Sequence, residues 1–139
     1  MRLLQRSDAG EFSFTKDLVG DDIIPPYAIL SHTWKEGEEV SFKDMMDGTE
    51  KSKSKTGYAK IRFCGQQAER DYLRYFWVDT CCIDKSNHVE LQEAINSMFC
   101  WYKNAAKCYI YLSNVSTMKR KASDEFSKCT WELAFRQSR

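Results

Sequence analysis

Proline, histidine and net charge are all scarce in this chain: of its 139 residues two are proline and two histidine, and 21 basic residues stand against 20 acidic ones for a net charge of +1. The near-cancellation of charge leaves no broad basic field to attract nucleic acid and no acidic excess of the kind that keeps a tail solvated. Scarce proline, together with 42% hydrophobic and 14% aromatic residues, excludes wholesale disorder, because such a composition fills a core. No run approaches the roughly 18 apolar residues of a membrane-spanning helix, and the opening Met1 to Asp8 lacks the apolar centre of a signal peptide. A cytoplasmic chain with neither membrane nor nucleic-acid partner is therefore expected. No C-x-x-C pair occurs, and only His32 and His88 are available to join the six cysteines as metal ligands at no standard spacing. No metal site is expected, and the cysteines read as reduced thiols that pack as small hydrophobes.

What is present fits one domain. Glu11 to Leu18 alternates apolar and polar residues over its first half, as an edge strand does. Three short apolar or aromatic runs follow at wide spacing: Tyr27 to Ser31, Tyr75 to Thr80 and Cys108 to Ser113. Each is too short for a helix and rich in strand-favouring residues, which predicts buried strands. Between the first two, the charged stretch Lys35 to Gly57 is expected to be loop, with a short strand at Glu39 to Phe42 and a mobile lysine-serine run from Lys51 to Lys55. Tyr58, Ile61, Cys64, Ala68 and Tyr72 recur at helical spacing, with Lys60, Arg62, Gln66, Gln67, Glu69 and Arg70 expected on the other faces and Gly65 weakening the helix they define. Asn87 followed by Glu90 resembles a capping box, and the stripe Leu91, Ala94, Ile95, Met98, Trp101, Tyr102, Ala105 predicts a long second helix. A basic loop from Ser116 to Ser123 and a short helix from Asp124 to Arg139 complete the expectation.

Strand, helix, strand, helix, strand in this order implies right-handed crossovers and an α/β fold whose sheet is mainly parallel and flanked by helices. In open parallel sheets ligands bind beyond the carboxyl ends of the strands. That rule nominates Ser31, His32 and Trp34 after the first buried strand, the segment Asp79 to Asp84 after the second, and Ser113 and Asn114 after the third.

Three segments, Pro26 to Trp34, Trp77 to Lys85 and Glu90 to Tyr102, with the opening Met1-Arg2-Leu3-Leu4, together resemble the fungal HET domain, the heterokaryon-incompatibility module. The similarity runs over essentially the whole chain. It implies a role in non-self recognition, with programmed cell death after incompatible fusion. HET domains are in turn distantly similar to TIR domains, some of which cleave NAD at the nicotinamide-ribose bond. The resemblance thus implies a flavodoxin-like or TIR-like arrangement, NAD as a substrate of the complete domain with no cofactor required, and self-association or a signalling receptor as partner. TIR enzymes carry a catalytic glutamate on a helix after the third strand, and HET domains have a Trp-x-x-x-Glu-Leu segment shortly after a Phe-Arg-x-Ser-Arg stretch. Phe135-Arg136-Gln137-Ser138-Arg139 matches that stretch, so the glutamate is expected beyond Arg139, and residues 1–139 are expected to be a HET-like domain lacking its C-terminal part. Glu132 does not substitute for it, being adjacent to Trp131, and helix neighbours point about 100° apart.

Cleaving a glycosidic bond to NAD requires a carboxylate near the ribose, so Asp79, Asp84 and Glu90 are the acids to weigh, with His32 as a general acid or base. The catalytic candidates are His32, Asp79 and Glu90; the candidates for ligand contact are Ser31, Trp34, Cys81, Asp84 and Asn114. Five of these have a structural alternative. Glu90 suits the return bond of a capping box, and Asp84 suits a turn. His32 suits a hydrogen-bonded strand end, Trp34 a plug on the core, and Cys81 a buried thiol in place of a nucleophile. Without catalysis, the same domain is a HET-like interaction and oligomerisation module.

Overall fold

The computed structural model describes residues 1–112; Ser113, Asn114, the expected loop and helix that follow, and Glu132 lie outside the described residues. Within them, five strands form one sheet: β1 (Leu4–Arg6), β2 (Phe12–Phe14), β3 (Tyr27–His32), β4 (Tyr75–Trp77) and β5 (Lys107–Tyr111), in the spatial order β2-β1-β4-β3-β5. The three strands read from the apolar runs form the parallel half. β3 lies in the middle, with Ile29 opposite Trp77 of β4 on one side and Cys108 of β5 on the other.

The other half is antiparallel, which corrects the expectation of a mainly parallel sheet. β1 pairs antiparallel with β2 and with β4, so the sheet is mixed. The cause is local: the link from Ser7 to Glu11 closes in a tight turn, with the Gly10 N–H donating to the Ser7 carbonyl at 2.9 Å and Gly10 at φ 83°. So short a link permits an antiparallel hairpin and no crossover. The alternation from Glu11 marks β2 correctly, whereas β1, of the same length, reads Leu4-Gln5-Arg6 and shows no alternation of apolar and polar residues.

Adjacent strand residues face opposite sides of a sheet, and Phe76 and Trp77 show what covers each. Phe76 packs on the side of α3 (Thr56–Arg70), whose Ile61, Cys64 and Ala68 are buried. Trp77 meets Trp101 and Tyr102 of α4 (His88–Asn104) edge-on, at ring-centroid distances of 5.4 and 6.2 Å. The two long helices thus cover opposite faces. Gly65 has a packing reason: a Cβ there would stand 2.9 Å from Phe12 Cε1 and 3.4 Å from the Phe76 ring. α3 ends at Arg70 rather than at Tyr72, which turns the chain at φ 61° and points into solvent instead of joining the buried stripe.

Two expectations fail between β3 and α3. The expected strand at Glu39 to Phe42 is replaced by the start of α1 (Phe42–Asp47), because Ser41 and Asp44 form a reciprocal capping box and Gly48 closes the helix in the left-handed region. The lysine-serine run is not a free loop: it includes α2 (Glu50–Lys53), capped by Thr49, with Ser52 buried and Lys55 Nζ 2.8 Å from Asp44 Oδ2. No helix among the described residues is long and apolar enough to cross a membrane.

Candidate functional site

β3 ends on His32, and β4 ends two residues before Asp79, so two neighbouring parallel strands deliver an imidazole and a carboxylate to the same sheet edge. His32 Nε2 lies 2.9 Å from Asp79 Oδ1, with the imidazole side chain 1% exposed. An ionised carboxylate only accepts, so Nε2 carries the proton of this bond. The other Asp79 oxygen is also engaged, since the indole Nε1 of Trp34 donates to Oδ2 at 3.1 Å. Asp79 thereby fixes two rings whose planes are 8° from parallel.

Behind the imidazole stands a second pair. Lys60 reaches in from α3 with 2% of its side chain exposed, donates to the Thr33 carbonyl at 2.6 Å and is ion-paired with Glu39. Its Nζ is 3.5 Å from His32 Nδ1, which also faces the Thr33 carbonyl at 3.3 Å. In front, Trp34 is half exposed, and Lys85 Nζ sits 3.5 Å above its ring. Burial pushes the Lys85 ammonium pKa down, while Asp79, Cys81 and Glu39 act in the opposite direction. Formal charges cancel: Lys60 and Lys85 against Glu39 and Asp79. Both nitrogens of this buried imidazole are thus occupied from within the fold, and the parts of the centre that a ligand can reach are the half-exposed Trp34 indole and the Lys85 ammonium beside it.

Other nominated residues lie elsewhere. Glu90 accepts the Asp84 N–H at 3.2 Å and pairs with Arg2 at 3.0 Å, so the expected return bond to the Asn87 backbone is replaced; the Asn87 N–H donates to the Asp84 carbonyl instead. Asn87 does cap α4, accepting from the Val89 and Glu90 N–H groups. Asp84 shapes its own turn, accepting from the Ser86 N–H and hydroxyl. Ser31 is buried within β3 opposite Ile110. Cys81 is fully buried, and burial with the adjoining Cys82 pushes its thiol pKa well up, which removes both the thiolate and its access to a ligand. Asn114 lies outside the described residues. Among the described residues no group of three or more His, Cys, Asp or Glu is placed to hold a metal ion.

Lys60, Glu39 and Lys85 were not nominated by the sequence. Lys60, expected on a polar face of α3, is instead buried beside Gly57, Ile61, Cys64 and Ala68; its place next to Ile61 was the available signal, since a lysine on a buried stripe needs a partner. Glu39 had none, because its pairing depends on how the preceding loop returns to the helix.

An α/β domain with a histidine-carboxylate centre at its parallel strand ends is the class that fold and site define. A family model described as Heterokaryon incompatibility protein (HET) matches residues 27–138, and the chain belongs to that family. It is also 62% identical over 138 residues to vegetative incompatibility protein HET-E-1 of Podospora anserina, an alignment covering 94% of this chain and 10% of that protein. The chain therefore spans about a tenth of the length of the curated relative it matches. No solved structure matches it. The family read from the three motifs is borne out.

Proposed function

We propose that this HET domain is an effector module of fungal non-self recognition, triggering programmed cell death in heterokaryon incompatibility through the His32-Asp79-Trp34 centre. The carrying observation is that His32 and Trp34 at the end of β3 both engage the one carboxylate that follows β4, with both Asp79 oxygens occupied and a half-exposed indole at the mouth. A relative named as a vegetative incompatibility protein supports the role. The ligand class is a nucleotide, with NAD as the substrate to be cleaved: an aromatic ring and an ammonium at one mouth suit a base and a phosphate. The order β4-β3-β5, with the earliest parallel strand in the middle, supports a flavodoxin-like and TIR-like reading of the parallel half.

The test is expression of the chain in a fungal host, with death scored beside purified-protein melting curves. Trp34→Phe, which keeps the ring and removes the donor, and Asp79→Asn are expected to stay folded and lose killing. Incubation of purified protein with NAD, followed by chromatography, is expected to release nicotinamide from a form extended past Arg139, where the glutamate is expected, and not from the Asp79→Asn variant of that form. Killing that survives combined substitution of His32 and Asp79 in a folded protein overturns the role of the centre. Absence of nicotinamide release from a killing-competent chain removes the NAD reading alone.

A second reading, a catalytically inert self-associating or receptor-binding module, is favoured by the exposed Ile95 and Phe99 on α4. A molecular mass that rises with concentration, and falls back in Phe99→Ser, supports it.

A further inference from the structure

Lys85 lies in the turn that Asp84 shapes, and its ammonium rests on the half-exposed Trp34 indole, with Nζ 3.5 Å from the ring centroid. Among the described residues it forms an ion pair with no carboxylate. The two acids that act on it from further away are committed elsewhere: both Asp79 oxygens to His32 and Trp34, and Glu39 to Lys60. Burial already weighs against its charge, so an anion brought to the mouth supplies a partner that the described residues do not.

The two halves of this contact differ in freedom. The indole is anchored, because its Nε1 donates to Asp79 Oδ2 at 3.1 Å. The ammonium rides on a flexible four-carbon stem and is held by its attraction to the ring, which is modest where water has access. A nitrogen 3.5 Å from the centroid is in contact with the ring face, so on that face a ligand ring and the ammonium exclude each other. A flat uncharged ring that takes the face leaves the ammonium without its indole. A ring joined to an anion takes the face and gives the displaced ammonium a stronger partner than the one it loses.

We propose that Lys85 is the specificity residue of the Trp34 mouth: its ammonium holds the indole face until a ring-bearing anion displaces it, then pairs with that anion, so the mouth takes a nucleotide and discriminates against the nucleoside. This assignment rests on the nucleotide reading of the mouth and adds to it that the anion is what opens the ring face.

The test follows the Trp34 indole N–H signal of the ¹⁵N-labelled chain by NMR, identified through Trp34→Phe, while AMP, adenosine or inorganic phosphate is titrated in. AMP is expected to shift the signal saturably and to bind about tenfold more tightly than adenosine, the margin one charge-assisted hydrogen bond provides. Inorganic phosphate, which lacks the ring, is expected to bind more weakly than AMP by a similar factor. In Lys85→Ala the margin is expected to close from both sides: AMP weakens about tenfold, and adenosine tightens about two- to fivefold as the ring face comes free of the cation. Should that variant fail to fold, Lys85→Gln, which keeps most of the stem and drops the charge, serves for the AMP margin. Equal affinities of AMP and adenosine in the wild type, or a ratio that a folded Lys85 variant leaves unchanged, overturns the assignment to Lys85 while nucleotide binding stands. Phosphate that binds as tightly as AMP, or adenosine that gains nothing in a folded Lys85→Ala, overturns it too. No saturable shift with either AMP or adenosine overturns the nucleotide reading itself, and this assignment with it.

Discussion

Lys60 of α3 and Glu39 of the loop ahead of α1 form an ion pair inside the fold, with 2% and 13% of their side chains exposed. Because the same ammonium stands 3.5 Å from His32 Nδ1, the pair couples the tertiary closure of a loop to the placement of the imidazole. Removing one member strands the other charge away from water, and broken buried pairs cost about 3–5 kcal/mol. Lys60→Met is expected to lose somewhat less, roughly 2–4 kcal/mol, because Glu39 retains some exposure. Combining it with Glu39→Leu is expected to restore most of the loss, read from denaturant unfolding of the two variants and the wild type. A double variant no more stable than Lys60→Met alone contradicts this account.

Gly57 holds the same loop in place. A Cβ there would stand 2.7 Å from the Glu38 carbonyl oxygen and 2.9 Å from Glu39 Cα, both backbone atoms that cannot swing aside. In an open helix Gly→Ala gains about 1 kcal/mol. Here the sign reverses, and Gly57→Ala is expected to destabilise by about 1–3 kcal/mol, as overpacking does. Thermal melting of the single variant decides the sign.

Acid has a specific target in Asp44. Burial raises its carboxyl pKa, but the hydrogen bonds from Lys55 and from the backbone and hydroxyl of Ser41 outweigh burial and hold it at about 2. A depressed carboxyl contributes stability that is present above its ordinary value of 3.8 and lost as pH falls towards about 2. Asp44→Asn is therefore expected to lower the melting temperature near neutrality and to melt like the wild type near pH 2. A gap that persists at pH 2 assigns the loss to something other than charge.

Thiol reactivity separates the cysteines. In a Cys129→Ser background, Cys100 is exposed and expected to react first with a chromogenic disulfide at pH 8. Cys108 is also exposed, yet the protein packed behind it pushes its thiol up to about 11, so it is expected to react more slowly. Cys64, Cys81 and Cys82 are buried and expected to react only on unfolding. Rapid loss of all five thiols under native conditions would contradict the packing of α3 on the sheet.

Much of this was legible in advance, for identifiable reasons. The runs at Tyr27, Tyr75 and Cys108 are strands because they are short, apolar and widely spaced, and the stripe from Leu91 to Tyr102 is a helix because its period persists through several turns. The helices at Phe42 and Glu50 were hidden by charge and shortness, although Ser41 with Asp44 and Thr49 with Ser52 already had cap spacing. At the site, His32, Trp34 and Asp79 follow from the strand-end rule. Glu39 and Lys60 are brought together over 21 positions by a returning loop, and no local pattern encodes that meeting. Glu90 misled because two donors, Arg2 and the Asp84 N–H, outcompeted the Asn87 backbone for its carboxylate.

Three phenols rivet helices to strands. Tyr27 of β3 donates to the Trp101 carbonyl at 2.5 Å, Tyr102 of α4 to the Leu30 carbonyl at 3.2 Å, and Tyr109 of β5 to the Asp71 carboxylate at the end of α3, with the Gln67 carbonyl 3.1 Å away. Burial raises the pKa of all three, that of Tyr27 to about 12. Each rivet holds below the ordinary tyrosine value of 10 and weakens as pH climbs above it, for Tyr27 until the phenol ionises at about 12 and has no hydrogen left to give, and for Tyr102 and Tyr109 at higher pH still. The alkaline limit of this domain is thus set in its seams, where helix meets sheet.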